Sequence, residues 1–110
     1  MTNILEHGQM YNQKVAEREG SKEREEISAA FSFLRSKDYD GAHRLFNYLL
    51  KQNEHDYWAN YGMSKVLAKK CLNEDIYCEL AYDYILLTKS LSEKHSMELD
   101  NLLSSMPHGL

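Results

Sequence analysis

Apolar residues recur at helical spacing in five stretches of this chain, and little in the sequence interrupts them. Proline occurs once, at Pro107, and the Asn-Gly and Asp-Gly pairs that favour hairpin turns are nearly absent. In the first stretch, offsets of 0, 3, 4 and 7 place four residues on one face of a helix from Lys22 to Ser36. These four are Ile27, Ala30, Phe31 and Leu34. The pattern predicts an all-α fold of about five helices.

Two polar breaks separate the second and third helices. Asp38 is a good N-cap for a second helix that ends near Gln52, because its carboxylate can accept hydrogen bonds from free backbone N–H groups. Asp56 is the corresponding cap of a third helix, which stops near Lys69 or Lys70, where positive charge suits the helix dipole. The apolar positions of these two helices are Ala42, Leu45, Phe46 and Leu49, then Trp58, Tyr61, Gly62, Met63, Val66 and Leu67.

The fourth and fifth helices complete the predicted array. Asn73 or Asp75 can cap the fourth helix, which carries the longest apolar stripe in the chain. The sequence leaves open whether a break at residues 90–93 separates it from the fifth. The two stripes are Ile76, Leu80, Ala81, Tyr84, Leu87, Thr88 and Leu91, then Leu99, Leu102, Leu103 and Met106.

These patterns divide the chain into three segments. Residues 1–20 are polar with weak helical spacing, so we expect them to be flexible or weakly helical. Residues 21–106 form the single helical domain. Residues 107–110 form a frayed tail, because Pro-His-Gly is a poor helical sequence.

The composition argues against several classes of partner. With 43 % hydrophobic residues in 110, the chain can form one core but not two. The formal charge of −4 argues against nucleic acid and against an anionic membrane surface. No apolar run approaches the roughly 20 residues that cross a bilayer, and Met1–Met10 lacks the basic start and apolar core of a leader. We therefore expect a cytoplasmic protein.

No arrangement of residues points to catalysis, so we expect a non-enzymatic protein without cofactor or metal. The five histidines are scattered, and His-Glu-x-x-His and Gly-rich phosphate loops are absent from the sequence. His55 lies beside Glu54 and Asp56, but a solvated turn explains these residues better than a metal site. Cys71 and Cys78 cannot by themselves staple a secreted domain, and we expect both to be reduced and packed as core or half-buried residues.

A repeated pattern covers the first three helices. An Asp-Tyr pair opens the second helix, followed at fixed spacing by a small, an aromatic and an apolar residue. After the next polar turn come an aromatic, a large and a small residue. The positions are Asp38, Tyr39, Ala42, Phe46 and Leu49, then Trp58, Tyr61 and Gly62. This order resembles the tetratricopeptide repeat (TPR), in which the turn often reads Gly-Asp-Tyr.

The second repeat is poorer than the first. Lys65 replaces the expected aromatic residue, and a longer connection around residues 70–77 precedes Ala81, Ile85 and Thr88. The resemblance implies a superhelical array of helical hairpins. Small residues allow helices to approach closely where they cross, so a bulky residue at Gly62 should cost stability. The residues expected to pack the repeats together are Ala42, Phe46, Leu49, Trp58, Tyr61, Gly62 and Ala81.

The resemblance also implies a concave groove lined by the first helix of each repeat. Only Arg35 in that set can pair with a carboxylate, so the groove should favour an amphipathic helix or an extended hydrophobic segment over an acidic tail. The alternative is that the terminal helices bury these residues, and the sequence leaves both open. The positions are Ile27, Phe31, Leu34, Arg35, Asp56, Ala59, Met63, Val66 and Leu67.

These expectations describe an adaptor or chaperone that buries an apolar or amphipathic segment of another protein. Small TPR-like proteins that guard hydrophobic parts of bacterial secretion substrates or needle subunits have a similar size and plan. The resemblance therefore implies a type III secretion chaperone. One alternative is a structural homo-oligomer, such as a dimer that pairs two incomplete arrays without a client. Another is a regulatory domain for a small ligand or nucleic acid, which requires Lys65, Lys69, Lys70 and Arg44 to share one face.

Overall fold

The structure is a computed structural model that describes residues 22–107. This part of the chain contains five α-helices and no strands, so the all-α prediction is confirmed. The predicted N-terminal segment 1–20 and residues 108–110 of the predicted tail lie outside the described residues. The helices are α1 (22–35), α2 (Tyr39–Gln52), α3 (Tyr57–Cys71), α4 (Cys78–Leu91) and α5 (Ser96–Ser105).

Side-chain caps set the starts of α2 and α3, as the sequence predicts. The Asp38 carboxylate accepts a hydrogen bond from the Gly41 N–H at 3.0 Å. The Asp56 carboxylate accepts one from the Ala59 N–H at 2.8 Å. The cap expected for α4 is wrong, because a 3₁₀ helix at Asp75–Tyr77 leads into α4 without a side-chain cap.

The turn between α1 and α2 is a Schellman motif. The Asp38 N–H donates to the Phe33 carbonyl at 2.9 Å, and the Lys37 N–H donates to the Leu34 carbonyl at 3.1 Å. Lys37 has a φ of 64°, the left-handed conformation that favours glycine. It stands where the TPR turn often has Gly. The turn therefore keeps its geometry without the residue best suited to it.

Helix α3 is the centre of the molecule. Ten of its fifteen residues are buried, which requires neighbours on several sides. It packs chiefly against α4 and α2 and also contacts α5. Phe31 of α1 reaches the ring of Tyr61, with a centroid distance of 6.0 Å. The largest fully buried apolar side chains are Phe46, Met63, Leu67, Ile85, Leu99 and Val66.

Gly62 of α3 packs directly against a side chain of α2. A Cβ atom there would overlap the ring of Phe46, which is fully buried. A methyl group cannot fit without moving a core aromatic ring, so this contact requires glycine.

The buried face of α4 agrees with the predicted stripe at Ala81 and Thr88 but differs from it elsewhere. Ile76, Leu80 and Leu87 are exposed, with Ile76 79 % exposed. Ile85 is fully buried instead, together with three other residues at helical spacing. These residues are Cys78, Ala81 and Thr88. The stripe predicted for α5 is correct at its ends, because Leu99 and Met106 are both buried.

Cys71 and Cys78 form a disulfide, so the expectation of two reduced thiols is wrong. The 3₁₀ helix folds the connection back and brings their Cα atoms to 4.7 Å, within the range that a disulfide spans. Both residues are buried, as expected. The bond joins the end of α3 to the start of α4.

Short connections make successive helices antiparallel, so α1 and α3 run in the same direction. As a result α1, α3 and α5 border one concavity, and α2 and α4 border another. None of the helices in residues 22–107 is both long and apolar enough to cross a membrane.

Candidate binding groove

A groove of about 680 Å³ lies between α1, α3, α5 and the turn before α5. We refer to this concavity as the groove. Its wall is apolar along α1 from Ile27 to Leu34 and aromatic near the start of α3, and it is basic at the C-terminal ends of both helices. The lining residues are Ile27, Ser28, Phe31, Leu34, Arg35, Lys37, Tyr39, Trp58, Tyr61, Lys65, Lys69, His95 and Leu102.

Helix α1 contributes one narrow apolar row to the groove. Ile27, Phe31 and Leu34 are four and three positions apart, so they lie along one helix face. All three are half-buried. The Phe31 ring meets the buried Phe46 ring edge-on, with centroids 5.0 Å apart. This contact anchors the row to the core and leaves part of each side chain open to the groove.

Helix α3 contributes a second row, formed by Trp58, Tyr61, Lys65 and Lys69. Their spacing of three or four residues places them on one face of the helix. Trp58 is 40 % exposed, which is large for a residue of its size and apolar character. The row changes from aromatic to cationic along the helix.

Aromatic rings pack around His95 at the apolar end of the groove. The His95 ring stacks on Tyr61 with a centroid distance of 4.1 Å, and its Nδ1 is hydrogen-bonded to the Tyr57 hydroxyl at 2.5 Å. The Lys94 ammonium lies 4.4 Å from the Trp58 ring centroid, within cation–π range. These contacts hold Trp58 and Tyr61 in place before any ligand binds.

A polar network ties α3 to α5 beside the groove. The Tyr61 hydroxyl donates to Glu98 at 2.6 Å, and the Lys65 ammonium lies 3.0 Å from the other Glu98 oxygen. Burial, followed by the hydrogen bond to Glu98, raises the pKa of Tyr61. Partial burial alone would raise the pKa of Glu98, but hydrogen bonds from Tyr61 and Lys65 outweigh it and lower that pKa. Glu98 therefore stays ionised and fixes both partners.

Every charged side chain that lines the groove is basic. Arg35, Lys37, Lys65 and Lys69 line it, and no carboxylate of residues 22–107 does. Lys65 is paired with Glu98. The other three make no ion pair with any residue that the structure describes. The groove is thus locally cationic in a chain whose formal charge is −4.

The structure divides the predicted groove residues into two sets. Ile27, Phe31, Leu34 and Arg35 of α1 do line the groove. Asp56 is the N-cap of α3. The remaining four face the core, with at most 1 % exposure, because α2 and α4 cover that side of α3. These four residues are therefore buried, but by α2 and α4 and not by the terminal helices of the alternative: Ala59, Met63, Val66 and Leu67.

Trp58 does not occupy the packing position between repeats that the sequence predicts for it. Six of the seven residues expected to pack the repeats are buried, namely Ala42, Phe46, Leu49, Tyr61, Gly62 and Ala81. Trp58 instead lines the groove. The sequence interpretation missed Lys65, Lys69, His95 and Leu102. The spacing of Lys65 and Lys69 from Trp58 could have revealed two of them.

The four cations of the nucleic-acid alternative do not share one face. Lys65 and Lys69 line the groove, but Lys70 points between α2 and α3. The Lys70 ammonium lies 2.7 Å from Asp40 and 3.0 Å from His43 Nδ1. Arg44 does not line the groove. This arrangement removes the basis of that alternative.

A second concavity of about 700 Å³ lies between α2, α4 and the start of α3. Most of its lining is amide or charged, so it offers less apolar area than the groove. His55 is an exposed turn residue, 3.8 Å from Glu54. In the part of the chain that the structure describes, no three metal-ligating side chains gather into a metal site.

Comparison with known proteins adds no relative to this description. Neither a family model, nor a curated protein, nor a solved structure matches the chain.

Proposed function

We propose that this chain is a non-enzymatic adaptor or chaperone that binds an apolar or amphipathic segment of another protein in the groove. One observation carries the proposal: the half-buried apolar row of α1 and the row of α3 that begins with Trp58 line the same groove, and Trp58 is 40 % exposed within it. Exposed aromatic side chains on a fixed base are typical of binding surfaces, because little entropy is lost when they are covered.

The volume of the groove supports a single segment as the ligand. A volume of about 680 Å³ between two parallel helices suits a few apolar side chains of one helix or extended strand. The arrangement of α1, α3 and α5 around it supports the TPR-like hairpin array that the sequence resembles. By the same reasoning we propose a chaperone of the type III secretion kind, whose client exposes a hydrophobic segment.

Trp58 offers a direct test because it is the only tryptophan in the chain. A synthetic amphipathic 16-residue helix with Leu on one face and Gln on the other should shift Trp58 emission to the blue and saturate. Leu34→Gln should weaken this binding, because Leu34 lines the groove. Leu86→Gln is the matched control, an exposed leucine on α4 outside the groove. A signal that does not saturate, or that survives Leu34→Gln unchanged, contradicts the proposal.

A cytoplasmic location stays a prediction, and the disulfide bears on it. Cytosolic proteins rarely keep disulfides, because glutathione and thioredoxin reduce them. A cytoplasmic chain would therefore hold Cys71 and Cys78 as thiols. Trapping with a maleimide reagent under denaturing conditions, on protein taken directly from cells, should label two thiols if the location is cytoplasmic. Labelling that appears only after reduction would place the chain in an oxidising compartment.

The exposed stripe of Ile76, Leu80 and Leu87 favours a second candidate, a structural homo-oligomer. Self-association through this face predicts a mass and a thermal midpoint that both rise with protein concentration. Sedimentation at several concentrations measures this. Leu80→Gln with Leu87→Gln should return the mass to that of a monomer. A monomer at every concentration would contradict this candidate and leave the groove proposal intact.

A further inference from the structure

We infer that the ligand of the groove is an amphipathic segment of a partner protein whose apolar side chains are followed by acidic ones. The inference rests on the proposed function and adds the charge and direction of the ligand. It reverses the sequence-based expectation that the groove disfavours acidic segments, which counted Arg35 alone.

The first argument is charge complementarity. The four charged lining residues are all basic, although acidic residues outnumber basic ones in the chain, 17 to 13. Arg35, Lys37 and Lys69 have no acidic partner among residues 22–107. Because these cations lack an acidic partner among the described residues, an acidic ligand would gain ion pairs with them.

The second argument is direction. Because α1 and α3 run parallel, their C-terminal ends lie at the same end of the groove. Arg35 and Lys37 follow the apolar row of α1, and Lys69 follows Trp58 on α3. These three cations therefore lie toward one end of the groove, and Trp58 and Tyr61 lie toward the other. The ligand needs its apolar residues beside Trp58 and its carboxylates beside Arg35, whose guanidinium can bind a carboxylate with two hydrogen bonds.

The spacing of these groups sets the length of the ligand. Trp58 and Lys69 are eleven residues apart on α3, which is ~16 Å along a helix axis. A helical ligand needs about three turns to reach from one to the other. A segment of this length places two or three carboxylates opposite the cationic end.

Three synthetic 16-residue helices with the same Leu positions test the inference. Their polar positions in one half carry Glu, Gln or Lys. Trp58 emission and its quenching by acrylamide report binding to the full-length protein. We expect the Glu helix to bind roughly tenfold more tightly than the Gln helix at low salt, and the Lys helix more weakly than either. The preference should shrink at 0.5 M NaCl, because rim ion pairs are screened.

A triple variant locates the effect. Arg35→Gln, Lys37→Gln and Lys69→Gln together should weaken binding of the Glu helix roughly tenfold and leave the Gln helix unchanged. The matched control is Lys22→Gln, Arg44→Gln and Lys51→Gln, which removes the same charge from exposed residues outside the groove. Thermal melts of both variants establish that they remain folded.

Each other outcome has a distinct meaning. If the Glu and Gln helices bind equally at low salt, the charge inference is wrong and the proposed function stands. If none of the three changes the Trp58 signal, the proposed function fails as well. Peptides of residues 74–91 and 1–21 of this chain represent a second copy and the chain's own N-terminal segment. Tighter binding of either peptide than of the Glu helix would overturn the assignment to a partner protein.

Discussion

Single residues decide how closely the helices pack, and Gly62 is the clearest case. Alanine has the higher helix propensity, by about 1 kcal/mol, so propensity alone would make Gly62→Ala stabilising. The added methyl group would overlap the buried Phe46 ring, and overpacking of this kind costs about 1 to 3 kcal/mol. The sign of the mutation therefore tells which effect dominates.

We predict that Gly62→Ala lowers the free energy of unfolding by up to about 2 kcal/mol in urea titrations. Phe46→Leu is destabilising by itself, because it removes buried ring atoms. In the double variant the leucine leaves room for the methyl group. Its loss of unfolding free energy should therefore be smaller than the sum of the losses of the two single variants. A Gly62→Ala protein more stable than the parent would show that α2 and α3 move apart at little cost.

Lys37 adopts a backbone conformation that suits glycine better than lysine. Its φ of 64° costs a side chain about 1 to 2 kcal/mol, and glycine avoids this cost but loses more backbone entropy on folding. Lys37→Gly should therefore raise the thermal midpoint, with a gain of roughly 0.5 kcal/mol. Ser36→Gly, one position earlier, is the control and should lower it. Equal effects of the two changes would show that the turn conformation does not limit stability.

At the scale of elements, the sequence predicts helices better than it predicts their faces. The carboxylates of Asp38 and Asp56 define helix starts locally, so both caps are correct. The face of α4 depends instead on how the 3₁₀ helix rotates its first turn, which apolar spacing does not encode. Counting hydrophobic residues selected Ile76 and Leu80, which are exposed. The TPR spacing named Ile85, which is buried.

The groove shows the same limit. Helix α1 is apolar on one narrow face, so Ile27, Phe31 and Leu34 could be placed from spacing alone. Helix α3 is covered on several sides, and its groove-facing row ends in lysines. An interpretation based on hydrophobic residues therefore chose Met63 and its buried neighbours. Tertiary packing, rather than local pattern, determined which face of α3 stayed open.

The disulfide is the strongest link between two elements. Cys71–Cys78 closes a short loop, and the chain-entropy model assigns such a loop about 2 kcal/mol. Refolding from denaturant with a phosphine reductant should therefore lower the thermal midpoint by roughly 10 °C. Cys71→Ser with Cys78→Ser is the control, and its midpoint should not respond to the reductant. A reduced chain with two titratable thiols and an unchanged midpoint would show that packing alone fixes the turn.

At the scale of the molecule, ionisable groups join α3 to α2 on one side and to α5 on the other. Burial, and then the nearby Lys70 charge, lowers the pKa of His43, whose Nδ1 accepts a hydrogen bond from Lys70. On the other side the pKa of Glu98 is lowered by its bonds to Tyr61 and Lys65, which outweigh burial. Both groups have pKa values below those of the unfolded chain. Their contributions to the free energy of unfolding are present at neutral pH and are lost as pH falls.

These shifts predict the dependence of stability on pH. The loss begins below pH 6.5, where an unfolded His43 gains a proton, and deepens below pH 4.5, where an unfolded Glu98 does. At the alkaline end burial raises the pKa of Tyr57 and Tyr61, so stability also falls as pH rises above 10. Urea midpoints measured from pH 4 to 11 should therefore form a plateau between pH 6.5 and 10.

Variants assign each part of this profile to its residue. His43→Gln should remove the change that begins below pH 6.5, whereas His55→Gln, at an exposed turn, should leave the profile as it is. Tyr61→Phe should reduce the alkaline loss because it removes the ionisable hydroxyl. A parent midpoint that stays constant from pH 7.5 to 5 would mean that the Lys70 to His43 bond adds nothing to the α2–α3 contact. In that case apolar packing, such as that of Phe46 against Gly62, and the Lys70 to Asp40 ion pair would hold the α2–α3 contact.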